Sequence, residues 1–147
     1  AFKQDWSWIM ERLTLSESMI ASLRAIQAKQ MAYYDDPVLR DHDAVVATYG
    51  LGPAMYLCLD GRVLILDHDE DDPAPVETDD ENDLRIISVI MAKRHKMTDL
   101  LTTYLFPPKP AGASECRLCS GTRWVQDKIS CPLCRALGWI AADNAAS

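Results

Sequence analysis

Four cysteines near the end of the chain constrain its fold more than any other feature. They form two Cys-x-x-Cys pairs, Cys116 with Cys119 and Cys131 with Cys134, separated by eleven residues. Each pair can place two thiolates at adjacent corners of a tetrahedron, the geometry that Zn²⁺ adopts in structural sites. The spacing therefore predicts one bound zinc ion. Because four thiolates close the coordination shell, we expect that ion to be structural and not catalytic.

Two disulfides or four unliganded thiols are the alternatives to a metal site. No apolar run approaches the roughly 18 residues that span a bilayer, and the segment Ala1–Trp6 lacks the apolar core of a secretion signal. These features predict a soluble, cytoplasmic protein without a membrane partner. A reducing compartment disfavours disulfides, and so short a segment could scarcely fold without a metal or cross-links.

The cysteine segment, residues 116–139, also repeats itself with an offset of 15 residues. Four positions coincide: Cys116 with Cys131, Leu118 with Leu133, Cys119 with Cys134, and Trp124 with Trp139. This pattern predicts two similar knuckles that face each other across one metal ion.

Residues 116 to 139 resemble a half-sized zinc-finger unit of the DnaJ cysteine-rich domain, whose repeated pattern is Cys-x-x-Cys-x-Gly-x-Gly. The first copy keeps Gly121 but has Arg123 at the second glycine, whereas the second copy has Ala136 at the first glycine and keeps Gly138. The resemblance implies the four metal ligands only. No chaperone role follows, because the His-Pro-Asp tripeptide of DnaJ proteins is absent from the sequence.

The charge of the chain is concentrated in one segment. The formal net charge is -7, yet ten acids and no Lys or Arg lie between Asp67 and Asp83, and the other 12 acids face 15 bases. We expect a long exposed loop, which is either merely solvated or a docking surface for a basic protein partner. A calcium loop is disfavoured, since Asp72 and Thr78 stand where Gly and Glu are needed. The candidate partner-binding residues are Asp67, Asp69, Glu70, Asp71, Asp72, Asp79, Asp80, Glu81 and Asp83.

Three helices are predicted before the first strand. A short helix over Asp5–Arg12 is expected to contribute its two tryptophans to the core. The run Thr14-Leu-Ser-Glu17 has capping-box spacing and predicts a helix over Leu15–Tyr34 with one apolar face. Asp36-Pro37 is a second start signal, which predicts a helix over Pro37–Tyr49 that ends at Gly50.

Beyond that helix the pattern favours strands. Met55–Leu59 and Arg62–Leu66 flank Asp60-Gly61, which predicts a two-residue hairpin with positive φ at both turn residues. Leu84–Ala92 is predicted to be a third, central strand, and Thr98–Phe106 a short helix.

These elements predict an α+β fold with N-terminal helices packed on a small antiparallel sheet, plus a C-terminal four-cysteine zinc knuckle module. The predicted boundaries are residues 1–106 for the α+β domain, 107–114 for a linker, 115–140 for the zinc module and 141–147 for a frayed tail.

The remaining chemically interesting residues allow two interpretations. Stacking and phosphate binding would suit Trp124 and Trp139 with neighbouring basic residues, aided by the run Lys93–Lys96. The alternative is that the tryptophans close the core around the metal and the basic side chains are solvated. Cys58 is expected to be a buried apolar residue. The basic residues of the module are Arg117, Arg123, Lys128 and Arg135.

No Gly-rich phosphate loop, His-Glu-x-x-His or Gly-x-Ser-x-Gly pattern is present, so we expect no enzyme activity. An enzyme whose catalytic residues are far apart in the sequence and meet only in the fold is the alternative. As a class, small acidic α+β proteins without catalytic motifs are similar to immunity proteins that neutralise bacterial toxins, among them the SUKH superfamily. That resemblance implies a non-enzymatic inhibitor that binds a basic partner, such as a toxin. The alternatives are a nucleic-acid-associated accessory factor and an assembly subunit.

Overall fold

The fold is α+β, as predicted, and the computed structural model describes residues 13–49, 53–67, 73–102, 105–126 and 129–141. A four-stranded antiparallel sheet in the order β1-β2-β3-β4 is its centre, and two further two-stranded ladders, β5 with β8 and β6 with β7, lie in the C-terminal segment. In these residues no helix is long and apolar enough to cross a membrane. The elements are α1 (Glu17–Tyr33), α2 (Pro37–Asp41), β1 (Ala44–Thr48), β2 (Ala54–Cys58), β3 (Val63–Leu66), β4 (Val76–Thr78), α3 (Glu81–His95), a 3₁₀ turn (Thr98–Leu100), β5 (Ser114–Glu115), β6 (Trp124–Val125), β7 (Ile129–Ser130) and β8 (Trp139–Ile140).

Helix α1 begins two residues later than the predicted capping box. Ser16 is the N-cap, and its hydroxyl accepts the backbone N–H of Met19 at 3.3 Å. The prediction from Thr14 and Glu17 was wrong because the preceding chain is still held by the loop between β2 and β3, where the N–H of Leu13 donates to the Gly61 carbonyl at 2.8 Å.

Two buried glutamines on α1 cover the open edge of the sheet. Gln30 donates to the Val46 carbonyl and accepts the Val46 N–H, both at 2.8 Å, so its amide takes the place of a neighbouring strand on β1. One turn earlier, Gln27 donates to the Ala44 carbonyl at 3.3 Å and to the Asp43 carboxylate at 3.0 Å. The glutamine side chains thereby occupy backbone groups of β1 that could otherwise pair with another strand.

Helix α2 is much shorter than the predicted Pro37–Tyr49. Asp36 caps it as expected, accepting the Val38 N–H at 3.0 Å, but the helix ends at Asp41. The rest of the range turns at Asp43, whose φ is +50°, and forms β1, which is buried on both faces of the sheet. A segment with β-branched residues that is buried on both faces of a sheet is more stable as a strand than as a helix, and the prediction of one long helix was wrong for this reason.

The predicted hairpin is confirmed, with a different turn. Strands β2 and β3 pair antiparallel. The Cys58 N–H donates to the Arg62 carbonyl and the Gly61 N–H donates to the Cys58 carbonyl, which leaves residues 59–61 as a three-residue loop. Gly61 has a φ of +95° and Asp60 is not among the residues with positive φ, so the expected two-residue turn was wrong. A Cβ at Gly61 would overlap the Leu13 carbonyl, so this position also requires glycine for space.

The predicted third strand, Leu84–Ala92, is instead the body of α3. Asp80 caps the helix by accepting the N–H groups of Asn82 and Asp83 at 2.8 and 3.2 Å. The apolar run misled the prediction because α3 is covered on more than one side, by the sheet and by the cysteine segment, whose Ala136 joins the same core. A helix buried all round loses the one-sided periodicity that identifies helices in a sequence.

Two further expectations need correction or lie outside the described residues. The acidic stretch is not a continuous loop, because Val76–Thr78 forms β4 on the edge of the sheet. The predicted helix over Thr98–Phe106 is a 3₁₀ turn followed by a turn in which Leu105 and Phe106 donate to the Thr102 carbonyl. The predicted helix over Asp5–Arg12, the stop at Gly50 and the tail after residue 141 fall outside the described ranges.

Candidate metal centre

The two cysteine repeats adopt the same backbone conformation. Both positions of the Gly-x-Gly pattern have positive φ in both copies, whether or not the residue is glycine. Arg123 and Ala136 therefore pay the cost of a left-handed conformation that glycine would adopt freely. The matching pairs are Ser120 and Arg135 at +54° and +53°, Gly121 and Ala136 at +81° and +64°, and Arg123 and Gly138 at +71° and +91°.

Each repeat is held by the other through reciprocal hydrogen bonds. The N–H of Cys116 donates to the Gly138 carbonyl at 3.1 Å, and the N–H of Cys131 donates to the Arg123 carbonyl at 2.9 Å. The two short ladders extend the exchange, since β5 pairs with β8 and β6 with β7. This crossed arrangement brings the two knuckles face to face.

The four sulfurs lie at distances that suit a metal ion. The Sγ atoms of Cys116 and Cys131 are 3.7 Å apart, as are those of Cys119 and Cys134. The ligand atoms of all four residues lie within 4.8 Å of one another, and all four residues are buried. A tetrahedral ion with metal–sulfur bonds of about 2.3 Å separates its ligands by about 3.8 Å. A disulfide would need about 2.0 Å, and none of the five cysteines forms one.

The metal-free thiols differ in acidity for identifiable reasons. Burial opposes ionisation of Cys116, but hydrogen bonds from the backbone N–H groups of Cys119 and Leu118 and from the side chains of Cys119 and Cys131 together outweigh it and lower its pKa to about 7. Burial raises the pKa of Cys134 to about 12 and also raises that of Cys131. A bound cation would stabilise all four thiolates together, which is the usual reason for gathering soft donors in a dry site.

The cysteine segment contacts the main core through α3. Ala136 is buried in the core, Trp124 packs against that core, and Arg85 on α3 donates to the Arg135 carbonyl at 3.4 Å. The apolar side chains that pack on the cysteines themselves are Val125, Leu137 and Ile140. The expectation that tryptophans close the metal core was therefore wrong, and Trp139 instead donates its indole N–H to the Pro107 carbonyl at 3.1 Å.

The predicted acidic surface is divided between two structural settings. Asp67 follows β3 and is exposed, as is Asp79 just before α3, while residues 68–72 lie outside the described ranges. The other three acids stand at the start of α3, where negative charge complements the helix dipole. Asp80 is the N-cap, Asp83 accepts the Thr78 hydroxyl at 2.8 Å, and Glu81 lies 3.4 Å from Arg85.

The predicted basic residues also separate into groups. Lys93–His95 form the last turn of α3 and Lys96 is its C-cap, so these charges complement the negative end of the helix dipole. They lie about 12–16 Å along the helix axis from Arg85, which contacts the cysteine segment. In that segment Arg117 and Arg135 line a cavity of about 480 Å³ with Trp139, and Lys128 is outside the described residues.

Arg123 and Cys58 each have a structural setting. The guanidinium of Arg123 lies 4.9 Å from the centre of the Phe106 ring, a cation–π contact between the cysteine segment and the preceding chain. Cys58 is buried in β2 as predicted, and burial raises its pKa to about 11, which makes it unreactive.

One polar cluster was missed entirely by sequence reasoning. The carboxylate of Asp36 accepts hydrogen bonds from the hydroxyls of Tyr49 and Tyr56 at 2.8 and 2.7 Å, and all three residues line a cavity of about 510 Å³. The residues are 13 and 20 positions apart in the chain, so no local pattern announces their contact. The only sequence signal is the run Tyr33-Tyr-Asp-Asp36 beside a proline.

Comparison with known proteins leaves two likenesses as predictions: the likeness of residues 116–139 to DnaJ units, which rests on a residue pattern, and the likeness to SUKH immunity proteins, which rests on the general class of the chain. No family model, no curated protein and no solved structure matches the chain.

Proposed function

We propose that this chain is a non-enzymatic protein of the inhibitor or immunity type, which binds a basic protein partner through an acidic surface and is stabilised by one structural zinc ion. The observation that carries the partner proposal is the edge of the sheet formed by β4, opposite the β1 edge that the glutamines cover. Strand β4 pairs only with β3 among the described strands, Val76 on it is 65% exposed, and Asp67 and Glu77 line a shallow cavity beside it.

An exposed edge strand is a template for pairing with another chain. The carboxylates at this edge would select a strand or loop that carries Lys or Arg and would accelerate its approach. In the part of the chain that the structure describes, the residues that line this edge cavity include no basic one; they are Ile65, Asp67, Ala74, Val76, Glu77 and Thr78. The carboxylates and the edge position of β4 among the described strands thus favour the same kind of partner.

Zinc as the ion is supported by the donor set. Four thiolates in a buried, closed arrangement suit a soft, tetrahedral cation and leave no position for a catalytic water. Cys116, Cys119, Cys131 and Cys134 would hold the ion, which would supply cross-linking between the two knuckles. The proposal includes a reducing, cytoplasmic setting in which the thiols persist.

The test is capture of a partner from nuclease-treated lysate of the source cells with three tagged baits. The first is the wild type, the second carries Glu77→Gln with Asp79→Asn, and the third carries Glu17→Gln with Asp99→Asn, which removes equal charge at exposed sites elsewhere. We expect a stoichiometric, basic protein with the wild type and the third bait, and its loss with the second. Equal capture by all three, or recovery of nuclease-sensitive material only, would refute the acidic-edge proposal.

A nucleic-acid-associated role is the second candidate, favoured by the cavity that Arg117, Arg135 and Trp139 share. Cationic side chains beside an indole could bind a phosphate backbone and stack a base. Salt-sensitive binding of a single-stranded oligonucleotide that Arg117→Ala weakens would support this role. Absence of binding at low salt would remove it.

A further inference from the structure

We propose that the cavity between α2 and the sheet is a receptor for one cationic side chain, an arginine or lysine of the protein partner. The cavity has a volume of about 510 Å³, within the range of sites that accept small organic groups. Among the described residues, three tyrosines and three aspartates line it together with His42, and none of these lining residues is Lys or Arg. The inference rests on the proposed function to the extent that the partner is basic.

The tyrosine rings form an aromatic wall of the kind that recognises cations. The ring centres of Tyr34 and Tyr49 are 5.2 Å apart at an interplanar angle of 74°, and those of Tyr49 and Tyr56 are 6.4 Å apart at 85°. Successive rings are therefore nearly perpendicular, so faces and edges alternate along the wall. A guanidinium or ammonium group over such a face is attracted by the negative π-cloud.

The carboxylates supply the opposite charge at two depths. Asp36 is held by the Tyr49 and Tyr56 hydroxyls through one oxygen and by the Val38 N–H through the other. Burial, followed by the Asp36 carboxylate, raises the pKa of both tyrosines above its ordinary value, so both hydroxyls stay protonated donors. Asp35 and Asp41 are exposed on the cavity wall. A cation would thus meet exposed carboxylates first and a fixed one deeper in.

An organic cation fits this chemistry better than a metal ion. Asp36 already accepts three hydrogen bonds, which leaves few lone pairs for the inner coordination of a metal. Aromatic walls attract a delocalised cation but offer no ligand atoms to a hard divalent ion. Leu66 and Pro73, which line the cavity, flank residues 67–72 in the sequence, and five of those six residues are acidic.

The test is an NMR titration of the zinc-loaded chain with acetyl-arginine methylamide, and with the neutral isostere acetyl-citrulline methylamide. We expect the arginine compound alone to shift the amide signals of Tyr34, Asp41 and Tyr49. Tyr34→Ala should weaken its binding about two- to fivefold, the range of an exposed cation–π contact. The matched control is Tyr33→Ala, because Tyr33 is 88% exposed and does not line the cavity. Tyr34, which does line it, is 47% exposed.

Equal shifts with the citrulline compound, or equal effects of Tyr33→Ala and Tyr34→Ala, would overturn the inference. Tighter binding of tetramethylammonium than of the arginine compound would also overturn it, by identifying a small amine as the occupant. The titration needs no partner, so its failure is separate from that of the bait experiment. Loss of partner capture with Glu77→Gln and Asp79→Asn would leave the proposed function standing even if this cavity binds no cation.

Discussion

Replacing Gln30 with methionine tests the most unusual feature of the sheet, a side-chain amide that substitutes for a missing strand. Methionine preserves the length of the side chain but removes both hydrogen bonds to Val46, each of which is 2.8 Å long. Both residues are buried, so water cannot replace the lost partner. An unsatisfied buried donor or acceptor costs about 1–3 kcal/mol, and two such groups predict a loss of about 2–6 kcal/mol. That is a large part of the stability of an ordinary domain.

The assay is urea unfolding of the zinc-loaded protein followed by circular dichroism. Lys29→Met is the matched control, because it introduces the same side chain at the adjacent exposed position and should change the free energy of unfolding by less than about 0.5 kcal/mol. Amide exchange at Val46 should accelerate in Gln30→Met and not in the control. A loss below about 1 kcal/mol in Gln30→Met would refute the conclusion that Gln30 closes the edge of β1.

Three further perturbations follow from other contacts. Gly61→Ala should destabilise the protein by more than about 2 kcal/mol in the same urea assay, because it adds an overlap with the Leu13 carbonyl to the strain of a φ of +95°. The control Gly112→Ala, at a φ of +88° with open space around it, should lower the free energy of unfolding by only about 1 kcal/mol. Equal losses in the two variants would contradict the role of Leu13. The hydrogen bond from Gln27, opposed by burial and aided by Arg24, lowers the pKa of Asp43 below its usual 3.8. The ionised Asp43 therefore stabilises the fold above pH 3.8, and this stabilisation is lost as the pH falls through the pKa of the folded state. Asp43→Asn should flatten the decline of the free energy of unfolding in this acid range, and an unchanged decline would contradict the role of Asp43. Removal of the metal by a chelator should change tryptophan fluorescence and lower the Tm of the whole chain, because Trp124 and Ala136 pack on the main core; an unchanged Tm would show that the cysteine segment is independent of that core.

The features predictable from the sequence are those set by residues close together in the chain. The cysteine spacing located the four side chains that the fold gathers into one buried cluster, and Asp60-Gly61 located the hairpin, since both signals act over a few residues. Asp36-Pro37 correctly gave a helix start but could not say where the helix ends.

The failures concern elements whose burial is set by distant parts of the chain. Leu84–Ala92 is apolar on several sides because the cysteine segment covers α3, and nothing local distinguishes that from a central strand. The contact between Asp36, Tyr49 and Tyr56 depends on the sheet bringing two strands beside α2. Only the assembled fold places those groups around one cavity.

The most direct test of the metal site is the metal content and X-ray absorption spectrum of the chain purified under reducing conditions. We expect one zinc ion per chain with four sulfur ligands at about 2.3 Å. Cys131→Ser should reduce the zinc content of the chain, because Cys131 lies in the buried cluster with the other three cysteines. Purified protein that contains no zinc, or zinc with oxygen or nitrogen in its first shell, would contradict the assignment of a four-cysteine structural zinc centre.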